Sequence, residues 1–240
     1  MHSLFISDLH LAPQRPAPAE ALLRFLAQVA PSAERLFVLG DLFEYWIGDD
    51  SLAQPFNRQV AEAFQGLARR GTRLYFMHGN RDFLIGEAFG RAAGMILLED
   101  GTEIDLYGTR ALLMHGDALC TDDVEYQKLR AMVRNPAWQR TFLAKPIEER
   151  IRMAQALRGE SEQAKQTKDA AIMDVSVSTV ESVLRARGYP RLIHGHTHRP
   201  ARHEHLVDGR LCERFVLADW YEQGSYLVCD AGGCRAVPIT

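Results

Sequence analysis

Residues 192–200 read LIHGHTHRP, and the interpretation of the whole chain starts from this stretch. The short run 191–193 before the first histidine predicts a buried strand that ends in a loop. His196 and His198 are two residues apart, so on extended backbone both imidazoles project to one side, and Gly195 permits a close approach. Taken alone, the pair fits a metal site or a hydrogen-bonded surface pair equally well.

Other predicted strands end in the same way. The runs Leu4–Ile6, Arg35–Leu39, Arg73–Met77 and Ala111–Met114 are each followed by side chains of the types that bind metal ions. Together with the first stretch, these strand ends carry Asp8, His10, Asp41, Asn80, His115, His196 and His198. A single carboxylate at a strand end is commonly a turn residue, whereas ligand types at five strand ends indicate one shared site.

Amphipathic segments lie between the predicted strands. Apolar spacing predicts helices over 18–30, 54–70 and 87–93. A hairpin is predicted from 104 to 114, and closing strands are predicted over 214–217, 225–229 and 236–239. This alternation of strand, polar tip and helix is typical of an α/β fold whose functional residues lie at the carboxyl ends of the strands.

The composition is that of an ordinary globular chain, with 240 residues, 25% charged, 47% hydrophobic and a net charge of −3. A general nucleic-acid-binding protein would be strongly basic, so we expect no nucleic-acid partner. No apolar run is long enough to cross a bilayer, and a strand predicted as early as Leu4 leads us to expect no signal peptide. The cysteines at 120, 212, 229 and 234 have no C-x-x-C spacing, so we expect reduced thiols in a cytosolic protein.

The candidate ligands are two carboxylates, one amide and four imidazoles. Because no cysteine is among them, a closed structural zinc site is disfavoured. Seven ligands exceed the needs of one tetrahedral ion, but two ions that share one carboxylate would use them all and leave positions for water and substrate. Such ions lie about 3.5–4 Å apart and suit phosphoryl displacement. Oxygen and nitrogen donors favour manganese or iron over thiolate-preferring metals.

The ligand types fall in five short blocks. These are Asp8-x-His10, Gly40-Asp41, Gly79-Asn80-x-Asp82, His115 and Gly195-His196-x-His198. In this order, and over nearly the whole chain, they resemble the blocks of the calcineurin-like metallophosphoesterase family. The resemblance implies a two-sheet α/β sandwich flanked by helices.

The resemblance also implies roles for the individual ligands. Asp41 would bridge two divalent ions, manganese by the family pattern, with a water or hydroxide between them as the nucleophile. One ion would be held by Asp8, His10 and His198, and the other by Asn80, His115 and His196. We predict catalytic roles for Asp41, Asn80, Arg81, His115 and His196.

Arg81 departs from the family pattern, which usually has a histidine at this position that protonates an alkoxide leaving group. A guanidinium stays protonated and cannot act as a general acid, but it can neutralise charge that develops on a phosphate. A leaving phosphate needs little protonation near neutral pH, since its second pKa is about 6. Arg81 therefore favours cleavage of a phosphoanhydride. The alternative is that Arg81 is a structural ion-pair partner.

About eighty residues separate His115 from His196, more than a simple crossover needs. We predict a helical insertion over 122–187 within a single domain of residues 1–240. Its helices are predicted over 124–133, 137–144, 147–157, 160–173 and 179–187. From Arg130 to Arg158, seven basic residues against two acidic ones leave a charge of +5 among aromatic and aliphatic side chains. This composition fits a membrane-surface element, a lid over a hydrophobic anionic substrate, or an ordinary helical cap.

Longer motifs narrow the resemblance within the family. Residues 7–11, 40–50, 78–84, 114–117, 120–123 and 194–200 are similar to those of enzymes that hydrolyse the pyrophosphate of a lipid-linked nucleotide sugar in lipid A synthesis. This similarity implies water attack on the α-phosphorus and peripheral association with the cytoplasmic face of the inner membrane. We expect no obligate protein partner.

The same similarity implies a set of substrate contacts. These would come from Asn80, Arg81, Asp123, Ser161, Lys165, Lys168 and His196, with Lys165 at a position where asparagine is usual. Residues 161, 165 and 168 would share one face of a helix. Two other functions stay open, a general dimetal phosphodiesterase or phosphatase and a non-catalytic scaffold, although a scaffold would be expected to lose ligands.

Overall fold

The computed structural model describes residues 1–167, 172–221 and 224–239, apart from the side chains of 160–167. Its strands are β1 (Ser3–Ile6), β2 (Arg35–Leu39), β3 (Arg73–Met77), β4 (Met95–Leu98), β5 (Thr102–Leu106), β6 (Thr109–Leu113), β7 (Arg191–His194), β8 (Ala201–Val207), β9 (Arg210–Val216), β10 (Ser225–Asp230) and β11 (Gly233–Pro238). The α-helices are α1 (Pro16–Gln28), α2 (Pro55–Arg69), α3 (Glu87–Ala93), α4 (Val124–Val133), α5 (Pro136–Leu143), α6 (Ile147–Thr167) and α7 (Val177–Ala186).

The strands form two mixed sheets. The first has the order β11-β10-β1-β2-β3-β4, and β1 to β4 are parallel in it. The second has the order β5-β6-β7-β9-β8, with β6, β7 and β9 parallel. Because the carboxyl ends of parallel strands meet at one edge of a sheet, the loops that follow β1, β2, β3, β6 and β7 are brought together.

The core is built from the alternation of side chains along the strands. Phe5 and Phe37 point between the sheets and stack with ring centroids 4.8 Å apart, over Ile193 and Phe215 of the second sheet. Leu4 and the other outward-facing residues of β1 and β2 pack instead in the larger cluster beneath α1 and α2. The structure therefore confirms the two-sheet α/β fold.

Helices cover both outer faces. The buried Val180 and Leu184 of α7 pack against Leu112 and Leu192 of the second sheet. The helices α4 to α6 lie beside the ligand loops, and Trp138 of α5 packs against the core of the first sheet. Among the described residues, no helix has the length and apolar character that crossing a bilayer requires. The boundaries of the insertion stay a prediction.

Two expectations from the sequence are wrong, and the edge strands β4 and β8 were not predicted. The helix α6 runs without a break through Gly159, where two helices were expected. The expectation of reduced thiols fails for Cys229 and Cys234, which form a disulfide. They face each other across the antiparallel pair β10–β11, with Cα atoms 4.1 Å apart, a register that their spacing alone does not reveal. Cys120 and Cys212 are free and buried.

Candidate metal centre

The seven candidate ligands lie on the five loops that converge at the sheet edges. Asp8 and His10 follow β1, Asp41 follows β2, and Asn80 follows β3. The second sheet contributes His115 after β6, and His196 and His198 after β7. The structure thus brings together every ligand position that the sequence predicted.

Most of these loops have a left-handed backbone that side-chain-bearing residues rarely adopt. The residues concerned are Asp8, His10, Asp41, His196 and His198, with φ between 49° and 69°. Each such residue costs of order 1–3 kcal/mol and persists only where its surroundings fix it. Here the surroundings do so, because Asp8 N donates to Gly40 O at 3.1 Å and His196 N donates to Asp8 Oδ2 at 2.9 Å. Such clustering is typical of functional sites.

The glycines of the motif blocks allow the loops to approach one another. A Cβ on Gly79 would lie 2.1 Å from Asp41 Oδ1, and a Cβ on Gly195 would lie 2.2 Å from Asp8 Oδ2. A Cβ on Gly40 would lie 2.5 Å from the Gly79 backbone. Any side chain at these positions would push the candidate ligands apart, which explains glycine beside the ligands in three of the five blocks.

One group of ligand atoms lies on the β1 side of the site. Atoms of Asp8, His10 and His198 approach within 4.8 Å of one another. His10 Nε2 lies 3.1 Å from His198 Nε2, which in turn lies 3.3 Å from Asp8 Oδ1. Asp8 Oδ1 is buried and makes no hydrogen bond among the described residues. Two imidazole nitrogens that face an unsatisfied carboxylate oxygen have the donor chemistry of a cation site.

The second group surrounds Asn80. Its Oδ1 atom lies 3.0 Å from His115 Nε2 and 2.9 Å from His196 Nδ1. His115 Nδ1 lies 2.8 Å from the carbonyl oxygen of Leu39, so Nδ1 carries a proton and donates it there. If the ring is neutral, the lone pair of Nε2 faces the lone pairs of Asn80 Oδ1, and the two atoms repel each other. A proton or a metal cation between these two atoms would make the contact favourable, so this group of side chains also fits a metal ion.

Asp41 lies between the two groups. Asp8, Asp41 and His115 offer ligand atoms within 4.8 Å of one another, and His115 Nε2 lies 3.7 Å from Asp41 Oδ1. Burial raises the pKa of Asp41, and the nearby charge of Asp8 raises it further. Burial alone would lower the pKa of His115, but the carboxylates of Asp41, Asp117 and Asp8 raise it to about 9. The site therefore attracts positive charge.

Two carboxylates that were not predicted as site residues fix these loops. Asp82 accepts N–H groups of Gly79 at 2.8 Å, Leu42 at 2.7 Å and Asp41 at 3.3 Å, and so joins the loops after β2 and β3. Burial and the neighbouring Asp41 raise the pKa of Asp82 to about 7. The signal was present in the sequence, because Asp82 belongs to the third motif block.

Asp117 is the other of these carboxylates, and it lies two residues after His115. Its Oδ2 atom accepts the Tyr126 hydroxyl at 2.9 Å and Arg130 Nε at 2.8 Å. Burial tends to raise the pKa of Asp117, but His115, His196 and Arg130 lower it on balance. The Tyr126 ring lies with its centroid 5.7 Å from that of His196. The Asp117 carboxylate therefore links the β6 loop to helix α4.

An apolar cavity of about 110 Å³ opens beside the candidate centre. Asn80 and Arg81 form part of its wall, and both belong to the third motif block. The apolar part of the wall comes from Trp46, Phe83, Leu84, Leu129, Val133, Trp138, Phe142 and Leu157. Core loops and the helices α4 to α6 thus enclose one space whose wall combines apolar side chains with charged ones, among them Arg81 and Arg158.

The predicted substrate contacts are placed unevenly. Asp123 caps α4 by accepting the N–H of Tyr126 at 3.1 Å. Arg81 donates through Nη1 to Glu44 Oε1 at 3.0 Å, so the ion-pair alternative for Arg81 is present alongside its position in the cavity wall. Ser161 and Lys165 belong to helix α6, but the structure does not describe their side chains. Lys168 lies outside the described residues.

The chain is similar in sequence to several known proteins. Three relatives that bear the name UDP-2,3-diacylglucosamine hydrolase match almost the whole chain. The protein of Aromatoleum aromaticum is 54% identical over 97% of this chain and 95% of its own length. That of Stenotrophomonas maltophilia is 51% identical over 97% and 96%, and that of Aeromonas salmonicida is 50% identical over 98% and 92%.

The family comparison covers all five motif blocks. Residues 1–200 match the model of the calcineurin-like phosphoesterase family. The matched region ends two residues after the last candidate ligand, His198. Members of this family use divalent metal ions, and the described residues present candidate groups for them. The chain therefore belongs to the calcineurin-like phosphoesterase family.

Proposed function

We propose that this chain hydrolyses the pyrophosphate bond of UDP-2,3-diacylglucosamine, the substrate named for its relatives, in lipid A synthesis. Water attacks the α-phosphorus, and the products are UMP and 2,3-diacylglucosamine 1-phosphate. Identity of about 50% over nearly the full length of three such hydrolases supports the substrate. The observation that carries the proposal is that Asn80 and Arg81 line the apolar cavity directly beside the candidate metal centre.

The proposed centre would hold two divalent ions, with manganese as the metal. Asp8, His10 and His198 would hold one ion, Asn80, His115 and His196 would hold the other, and both ions would share Asp41. The buried, unbonded Asp8 Oδ1 and the facing ring nitrogens of His10 and His198 support this assignment. When bound, such a pair lowers the pKa of water and withdraws charge from phosphorus.

The protein side chains orient and neutralise the substrate. Arg81 is placed to offset negative charge on the departing sugar phosphate, since its guanidinium stays protonated and lines the cavity. That leaving group needs no general acid, because the second pKa of a phosphate is about 6. His115 is oriented by Leu39 O, which fixes the Nδ1 proton and turns Nε2 toward the centre. The apolar wall receives acyl chains and excludes water.

Peripheral association with the cytoplasmic face of the inner membrane is part of the proposal. Val124 and Met132 of α4 and Leu143 of α5 are exposed, and the basic Arg140 and Lys145 lie within three residues of Leu143 in the sequence. Apolar side chains among cations suit an anionic lipid surface. Loss of flotation with anionic liposomes in the Met132→Ser/Leu143→Ser variant would support this surface, and unchanged flotation would remove it from the proposal.

The test of the function is release of UMP. Purified protein is incubated with UDP-2,3-diacylglucosamine, detergent and Mn²⁺, and UMP is measured by chromatography. We expect turnover that Asp41→Ala abolishes, because the variant lacks the proposed bridging carboxylate. Activity on simple phosphodiesters without UMP release would instead favour a general phosphodiesterase.

A further inference from the structure

Glu44 lies among three arginines that come from three different segments. Its Oε1 atom accepts Arg81 Nη1 at 3.0 Å and also contacts Arg158 Nε. Its Oε2 atom accepts Arg15 Nη2. The side chains of Glu44 and Arg81 are each 11% exposed, and that of Arg158 is 19% exposed, so their contacts are made largely out of water. Arg15 lies nearer the surface, with 36% of its side chain exposed. One buried carboxylate therefore holds three guanidinium groups.

The contacts of Glu44 connect parts of the chain that the sequence keeps far apart. Glu44 belongs to the loop after β2, three residues beyond Asp41, and Arg81 follows Asn80 in the loop after β3. Arg158 lies in α6, on the cavity side of the helix. Glu44 thus links these two loops to helix α6. Glu44, Arg81 and Arg158 all line the cavity.

Glu44 holds guanidinium groups of like charge close together. Two of them, on Arg81 and Arg158, also line the cavity, and guanidinium groups pair well with phosphate oxygens. Without Glu44 the positively charged arginines would repel one another. Because these side chains are mostly shielded from water, the repulsion would be stronger than between arginines on an exposed surface. Arg81 Nε already lies 3.8 Å from Asp41 Oδ2, so Asp41 is the carboxylate that Arg81 would approach.

We infer that Glu44 is a positioning residue that holds Arg81 and Arg158 toward the cavity, ready for a diphosphate group, and keeps Arg81 away from Asp41. The inference rests on the proposed function for the identity of that diphosphate. Glu44 itself does not need to touch the substrate. It acts through the two arginines, and it couples the position of α6 to the loops that carry the candidate ligands.

The first test is Glu44→Gln, which keeps the shape of the side chain and removes its charge. Loss of groups that orient the residues of a metal site costs about 10–100-fold, and we expect such a loss in kcat/KM at an unchanged Mn²⁺ content. We also expect a lower melting temperature, because the arginines lose a buried partner. The matched control is Asp50→Asn. Asp50 also pairs with α6, through Arg150 Nη1 at 2.9 Å, but neither residue lines the cavity. We expect this variant to keep wild-type kcat/KM.

A double-mutant cycle separates positioning from a general structural role. If Glu44 acts through Arg158, then Glu44→Gln/Arg158→Gln should lose less than the product of the two single losses. Losses that multiply fully would overturn the inference, as would a Glu44→Gln variant as active as Asp50→Asn. Should Glu44→Gln fail to fold, Glu44→Asp keeps the charge but shortens the reach, and wild-type kinetics for that variant would also overturn it.

A binding measurement keeps this inference separate from the proposed function. Affinity for inorganic pyrophosphate, supplied as its magnesium complex, is measured by calorimetry and needs no turnover. If Glu44 positions the arginines, the Glu44→Gln variant should bind pyrophosphate at least tenfold more weakly than the wild type. If only net charge mattered, loss of the negative charge of Glu44 would make the variant bind pyrophosphate more tightly. Wild-type failure to release UMP would refute the proposed function only. Equal or tighter pyrophosphate binding by Glu44→Gln would refute the role of Glu44.

Discussion

Gly79→Ala adds one methyl group at the point where the loops after β2 and β3 touch. The new Cβ would lie 2.1 Å from Asp41 Oδ1 and 2.3 Å from Asp41 N. Ordinary contact begins at 3.4 Å, so the loops must separate by 1.1 Å to restore it at the backbone nitrogen of Asp41. Asn80 is the next residue and moves with the loop. A displacement of about 1 Å in a catalytic site can cost about 100-fold in rate, and overpacking typically costs about 1–3 kcal/mol in stability.

The assay for Gly79→Ala combines UMP release, urea unfolding and metal content per chain. We expect kcat/KM to fall about 100-fold with reduced Mn²⁺ content, because Asn80 and Asp41 no longer face one another correctly. Gly66→Ala is the matched control, since it adds the same methyl within α2 where nothing lies within 4 Å. It should keep full activity and gain roughly 0.5–1 kcal/mol. A folded Gly79→Ala protein with normal activity and metal content would refute the close-approach argument.

Three further predictions follow from the site. Asp82→Asn should lower the free energy of unfolding by roughly 3 kcal/mol, because the amide nitrogen cannot accept a backbone N–H; a loss below about 0.5 kcal/mol in urea titration would contradict its role. Trp138→Ala should raise KM about tenfold for the diacylated substrate, which corresponds to a loss of about 1.4 kcal/mol in apolar contact. KM for a short-chain analogue should stay unchanged, and equal effects on both substrates would exclude an acyl-binding wall. Chelation should lower the melting temperature, and Mn²⁺ at a hundred times its Kd should restore about 2.7 kcal/mol; a metal-independent melting curve would count against the centre.

Much of the fold and nearly all candidate ligands could be predicted from the sequence, because buried parallel strands are short apolar runs. Asp41 and Asn80 were identified by their position after such runs. The strand β8 was missed because its inward-facing positions include His203 and His205, which hide the apolar alternation. The helix α6 was divided because Gly159 usually weakens a helix interior.

Residues that act across loops were harder to recognise. Asp82 and Glu44 bond groups that lie about forty residues away in the sequence or more, and no local pattern encodes such pairs. The Cys229–Cys234 disulfide depends on hairpin register in the same way. Sequence periodicity therefore located the ligands, whereas the contacts that orient them required the three-dimensional arrangement.

We expect water to attack the α-phosphorus at the centre formed by the seven candidate ligands. The decisive measurement is turnover of UDP-2,3-diacylglucosamine in H₂¹⁸O, with both products analysed by mass spectrometry. Attack on the α-phosphorus puts one ¹⁸O atom in UMP and none in 2,3-diacylglucosamine 1-phosphate. Label in the sugar phosphate would place the attack on the other phosphorus and would refute the proposed mechanism.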